Sequence, residues 1–316
     1  ACKTKGRQIM RATMKQALVP LALGVVTATT AGSCKLNLTP DTLIKGVQGY
    51  MEAKKDLTPE NEYFVGRSVG TNILARNNYA YLDKDGWAEG QLKGFTLYVN
   101  AVGAVLANAA LEVQHSGDRP APIAGWHFVI LDDSLINAFA APGGYVFITR
   151  GALQLANNED ELAAVLAHEI AHVRRGHALG SIKKSRISSV YKEALSSSVE
   201  LDQQALGGLA QAFDGAMDDM LDSMLVKGYS RDTEFEADAV GMEIMARAGY
   251  NTDAFVAYLD RLQKQQSTGS GGFSATHPKA SDRVATLKKI RSKFANNPVV
   301  AKRTARFAAA RAAAEL

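Results

Sequence analysis

Between Asp160 and Arg175 the apolar residues Leu162, Val165, Leu166, Ile170 and Val173 recur three and four positions apart, the spacing that places them on one face of a helix. Asn158 ahead of Glu159, Asp160 and Glu161 supplies an N-cap and an acidic first turn, Arg174 and Arg175 suit the C-terminal end, and Gly176 offers a stop. The same periodicity predicts helices over Glu60 to Arg76 and Gln91 to Leu111, with a loop around Asp83 to Gly90 between them, and again over Asp253 to Gln266. Three short runs follow the strand pattern instead: Trp126 to Leu131, Leu135 to Ala140 and Tyr145 to Thr149, the last two joined by the turn signal Pro142-Gly143-Gly144. Helices of this length around one small sheet predict an α+β fold, mainly helical, with the sheet packed against the Asp160 to Arg175 helix.

That helix carries His168-Glu169-Ile170-Ala171-His172. Residues i and i+4 share a helix face, so His168 and His172 can grip one ion while Glu169 points toward a bound water, the arrangement of a zinc peptidase. With six histidines in 316 residues, chance supplies only about 0.006 such patterns in a chain of this composition. The bland reading is a helix whose two histidines are merely polar neighbours.

A catalytic zinc site has three protein ligands and an open fourth position. His177 is nearest in sequence, but Arg175 stands where the extended motif HExxHxxGxxH needs glycine and the histidine comes one residue early; on a continued helix it would project away, so it reads as a loop or supporting residue. The better candidate opens a second helical pattern, Thr233-Glu234-Phe235-Glu236-Ala237-Asp238-Ala239, in which Glu234 and Asp238 sit one turn apart and Glu236 points elsewhere. Glu234 would bind the metal and Asp238 would hold the second ring nitrogen of His168 or His172. The alternative is an acidic helix N-terminus favoured by the dipole.

These segments, together with Asn137 to Gly151, Thr276-His277-Pro278 and Arg283, resemble the HtpX-like family of membrane-associated zinc endopeptidases, and within it the bacterial periplasmic lipoprotein branch, over about residues 57 to 290. The resemblance implies a zincin-type (gluzincin) domain, one Zn2+ per subunit on His168, His172 and Glu234, Glu169 as catalytic base, Asp238 as supporting acid, and degradation of misfolded or misassembled envelope proteins. It also matches His277 to a histidine that in some relatives approaches the metal. Lying directly after the glycine-rich Ser267 to Gly272, His277 could gate the fourth coordination position or help stabilise the oxyanion. Arg283 reads as a structural partner for an acid. The strand edge at Asn137 and Phe139 could pair with extended substrate through main-chain hydrogen bonds; the plain alternative is a core hairpin.

The front of the chain bears on compartment. Met14-Lys15, the apolar run Ala17 to Ala31 and Gly32-Ser33-Cys34 read as a signal peptide over 1–33 with Cys34 as the lipidated first residue, the alternatives being an uncleaved anchor or a buried helix. Residues 34–56 then read as a tether, 57–292 as the peptidase domain and 293–316 as a C-terminal helical tail. This predicts a periplasmic protein held to the envelope by its lipid, at the outer membrane. The leader holds five basic residues and no acid, so its loss takes the formal net charge from +4 to −1. The pI of about 8.9 therefore belongs to the leader and gives no reason to expect nucleic acid. Cys34 would be the one remaining cysteine, which excludes an intramolecular disulfide.

Ala178 to Gly228 is helical in pattern, and Asp202, Asp214, Asp218, Asp219 and Asp222 interrupt its apolar runs, against a bilayer span there. Met217, Met220, Met224 and Leu225 form either a client-binding face or helix core. The alanine- and arginine-rich Ala301 to Leu316 reads as a weak, exposed helix. Expected partners are unfolded or misassembled proteins, the membrane, and partner proteases or assembly machinery of the envelope. Two rivals fit the same motifs less fully: a chaperone or assembly factor that rarely cleaves, and a zinc amidase acting on cell-wall peptides.

Overall fold

The computed structural model describes residues 57–75, 80–81, 91–180, 228–266, 277, 279–294 and 297–314. The expected leader, Cys34 and the tether, nearly all of the long helical section with its methionines, and the glycine-rich segment before His277 lie outside these residues. In chain order the described elements are α1 (Pro59–Ala75), β1 (Ala80–Tyr81), α2 (Gln91–Glu112), β2 (His127–Asp132), β3 (Ala138–Ala141), β4 (Tyr145–Thr149), α3 (Arg150–Leu155), α4 (Glu159–Arg175), α5 (Arg231–Arg247), α6 (Asp253–Gln266), α7 (Ala280–Ile290) and α8 (Ala301–Ala313). The fold is α+β and mainly helical, with a small mixed sheet in the order β1-β2-β4-β3. The expected hairpin is present as antiparallel β3 and β4, with Phe139 opposite Phe147, and β2 runs parallel to β4 on the other side. Among the described residues β3 is therefore an edge strand, and it is the strand beside α4.

α4 is the central element. Leu162, Ala163, Ala164, Leu166, Ala167, Ile170 and Ala171 are all fully buried, because α2, α5, α6 and β3 pack around it. Asn158 caps it as expected, its Oδ1 accepting from Glu161 N at 2.9 Å, and Gly176 ends it in the left-handed conformation at φ 65°. A β-carbon is disfavoured at that φ, which is why glycine stands there. The segment Gly94–Glu112 of α2 is long and apolar enough to cross a membrane, yet one face of it, with Phe95, Val99, Val102 and Leu106, is buried in the core shared with α4.

The first turn of α4 and the C-terminal tail differ from the sequence expectation together. Glu159, Asp160 and Glu161 are buried, and each meets an arginine from a later helix: Arg306 on Glu159, Arg303 on Asp160 at 3.3 Å, and Arg261 on Glu161 at 2.5 Å. Tyr98 and Tyr250 donate to Glu159 as well, at 2.6 and 3.0 Å. The tail is a largely exposed helix, as expected, but it is anchored to the body at a few positions. α8 buries Phe307 to 1 % exposure and lays Arg303 and Arg306 across the acidic end of α4. The arginine stems lie along the protein surface while their heads reach the acids.

Candidate metal centre

His168 and His172 lie one turn apart on the buried face of α4, and their Nε2 atoms are 3.1 Å apart. Glu234, in the first turn of α5, brings Oε2 to 3.4 Å from His168 Nε2 and Oε1 to 3.4 Å from His172 Nε2. His277 joins the group, with Nδ1 2.7 Å from Glu234 Oε2 and Nε2 3.4 Å from the main-chain oxygen of Ala138 on β3. One ligand atom from each of these four residues lies within 4.8 Å of all the others, and all four residues are buried. Two imidazole nitrogens and a carboxylate turned on one point, away from water, suit a divalent cation and little else.

The surroundings hold each donor in place. Asp238, one turn beyond Glu234, lies 3.0 Å from His168 Nδ1. Arg283 on α7 grips Asp238 through Nε at 2.9 Å and Nη2 at 2.5 Å, the acid partner expected for it, placed directly behind the candidate ligand. His172 Nδ1 meets His177 Nδ1 at 3.0 Å. Spacing along a continued helix could not show this, because the turn at Gly176 folds His177 back. Tyr229, which no sequence pattern selects, stacks on the His172 ring at 4.5 Å between centroids. Its buried hydroxyl has no hydrogen-bond partner among the described residues.

Glu169 is 1 % exposed, and its Oε1 also has no hydrogen-bond partner among the described residues. Burial raises its pKa above the ordinary glutamate value, opposed by His168 and His277. Burial acts on Glu234 in the same direction, but His277 and hydrogen bonds from the histidines overcome it and hold the carboxyl well below its usual range. Burial and Arg283 push the His168 pKa down, and Asp238 and Glu234 more than offset them, raising it to about 9. Burial pushes His172 down to about 3. The two rings face each other beside Glu234, so their protons belong to the coupled group rather than to either histidine alone.

Residues 100–291 match the profile of Peptidase family M48, well over half of the chain. The chain belongs to that family. The matched M48 segment is a metallopeptidase domain running from within α2 to the start of the short turn after α7, so α1 and α8 lie outside it. The chain is 28% identical over 197 residues to the beta-barrel assembly-enhancing protease of Escherichia coli, covering 61% of this chain and 38% of that protein. It is 31% identical over 166 residues to the mitochondrial metalloendopeptidase OMA1 of Schizosaccharomyces pombe, covering 52% of this chain and 46% of that protein. Each match spans less than half of the relative's length.

Asn137 and Phe139 stand beside this M48 site, but their side chains turn into the protein. Phe139 stacks on Phe147 at 5.1 Å, and Asn137 Oδ1 accepts from Ala138 N. What β3 offers toward the site is main chain. A small cleft lies alongside, between Ala140, Ala141 and Pro142 on one side and His172 and Gly176 on the other, with Glu62 of α1 in its wall.

Proposed function

We propose that this chain is a zinc-dependent endopeptidase, held to the bacterial envelope through a lipid on Cys34, that degrades misfolded or misassembled envelope proteins. The observation that carries the reading is the convergence of His168 Nε2, His172 Nε2 and the Glu234 carboxylate beside the buried Glu169, whose Oε1 has no hydrogen-bond partner among the described residues. His168, His172 and Glu234 would hold one zinc ion, which supplies Lewis acidity toward the scissile carbonyl and the attacking water. Glu169 takes the proton of that water and delivers it to the leaving amine, a transfer favoured by a carboxyl whose pKa burial has raised toward neutrality. Asp238 keeps the His168 ring turned so that Nε2 faces the ion.

His277 Nδ1 lies 2.7 Å from Glu234 Oε2, and from there it would either gate the fourth coordination position or help stabilise the oxyanion. The main chain of β3 around Asn137 and Phe139 supports an extended substrate by hydrogen bonds that any sequence can make. The domain plan that accompanies this reading is a leader at 1–33, a tether at 34–56, the peptidase domain at 57–292 and a C-terminal helical segment at 293–316. The relative named as a beta-barrel assembly-enhancing protease supports a role beside envelope assembly machinery and partner proteases. No nucleic acid belongs to this scheme.

The deciding experiment incubates zinc-loaded protein and Glu169→Gln with unfolded casein and with cell-wall fragments. Cleavage of casein by the parent alone supports the reading. Release from cell-wall fragments alone would turn it to an amidase, and suppression of aggregation by both forms without cleavage would turn it to a chaperone. Labelled palmitate retained by the parent and lost in Cys34→Ser tests the anchor.

A further inference from the structure

The metal reading leaves Glu236 without a role, although it stands between Glu234 and Asp238 on α5. Its two oxygens are divided. Oε1 takes Arg175 Nε at 2.8 Å and Nη2 at 2.6 Å, and Oε2 lies 3.3 Å from His177 Nε2. Arg175 is itself fixed by Asp118 at 2.7 Å and by the main-chain oxygen of Ser116 at 3.1 Å. On its other side His177 presents Nδ1 to His172 Nδ1 at 3.0 Å, so of those two nitrogens one carries a proton and the other a lone pair.

We infer that Glu236, acting through His177, fixes the tautomer of His172 and so turns the lone pair of His172 Nε2 toward the metal. An ionised carboxylate only accepts, so the proton of neutral His177 sits on Nε2 and its Nδ1 is an acceptor. His172 must then donate from Nδ1, which leaves Nε2 bare and aimed at the point shared with His168 and Glu234. α5 thereby carries one candidate ligand and two positioning acids: Asp238 sets His168 directly, and Glu236 sets His172 through one intervening ring. The inference rests on the zinc reading above.

Glu236→Gln reverses the polarity of the chain with almost no change of shape. Arg175 has only donors, so the amide oxygen must stay with it, and the amide N–H₂ turns to His177 Nε2. His177 then carries its proton on Nδ1, His172 is driven to its Nε2–H form, and a ligand lone pair is lost. Zinc affinity of the full chain, read by competition with a chromophoric chelator, should fall about 10- to 100-fold in Glu236→Gln. Glu236→Ala leaves His177 to water and free to take either tautomer, so it should lose less than Glu236→Gln. In a His177→Ala background the Glu236→Gln change should cost nothing further. A merely structural Glu236 gives the opposite order, with glutamine the milder substitution. The inference is overturned if Glu236→Gln binds zinc as the parent does, or if its loss persists without His177. Failure of the parent itself to bind zinc is a separate result, and it overturns the metal reading on which this rests.

Discussion

Gly241 lies where α5 crosses α4, and replacing it with alanine tests whether the metal site is set by helix spacing. A β-carbon there would meet His168 N at 3.1 Å, His168 Cα at 3.2 Å and the Ala167 carbonyl carbon at 3.3 Å. All three are main-chain atoms, so no rotamer relieves the contact and the helices must part by a few tenths of an ångström. Glu234 and Asp238 ride on the helix that moves, and His168 stands on the one that stays. Overpacking of this kind costs about 1–3 kcal/mol, and the better helix propensity of alanine returns about 1 kcal/mol. The metal-free Gly241→Ala protein should therefore be destabilised by roughly 0–2 kcal/mol. Zinc tolerates ligand distances only within about 0.2 Å, so binding has to restore the strained approach. That should weaken affinity by about 5- to 150-fold, the equivalent of the overpacking cost. Thermal melts with and without zinc, together with chelator competition, measure both quantities. If Gly241→Ala is more stable than the parent and binds zinc equally well, helix spacing at this crossing does not set the site.

Glu169→Gln should keep zinc and lose activity by about 10²- to 10⁴-fold in kcat, checked by metal content beside steady-state rates. Arg283→Leu removes the cation from the buried Asp238 carboxylate and should cost about 3–5 kcal/mol in urea unfolding. Phe307→Ala, at 1 % exposure on α8, should cost about 3–5 kcal/mol in the same assay; a loss below 1 kcal/mol would mean that α8 is not part of the cooperative core. The pH dependence follows from Glu159, whose burial would raise its pKa but which Arg306 and the two tyrosines hold below the ordinary value. Its stabilising contribution is present above the unfolded-state value and is lost as pH falls through the folded one. Asp160 is shifted upward, mainly by burial, and works in the opposite sense. Arg306→Ala should therefore move the midpoint of acid unfolding to higher pH, and an unchanged midpoint would rule out the ion pair as a source of acid stability.

The candidate site was legible in sequence where its geometry is local. His168 and His172 are one turn apart, as are Glu234 and Asp238, and helical spacing alone places each pair on a face. The zinc motif supplied the reason to join the two pairs, which meet across α4 and α5 with Glu234 3.4 Å from each histidine and Asp238 3.0 Å from His168. The hairpin was legible because its turn residues and its β-prone runs agree, and β2 was legible as the strand run Trp126 to Leu131, but the parallel pairing of β2 with β4 leaves no local mark. The tail was legible as a largely solvent-facing helix, but its anchoring by Arg303 and Arg306 was not, because the buried acids that receive the arginines read equally well as helix caps. His177 and Glu236 depend on the reversal at Gly176, so no periodic projection finds their contact. Tyr229 precedes the capping residue Ser230, outside any pattern that could select it.

β3 pairs with β4 on one side, buries all four of its side chains, and faces α4 at the edge of the sheet. An edge of this kind can engage only a chain that has surrendered its own backbone hydrogen bonds over several residues. On the reading proposed above, the rate at which a client is cut then tracks the fraction of time its chain is open when reclosing outpaces cleavage. Two clients with the same cleavable sequence but opening free energies 2.8 kcal/mol apart would differ about a hundredfold in lifetime. On that reading the strand edge would make the enzyme a gauge of its clients' local stability, with their sequence a secondary variable.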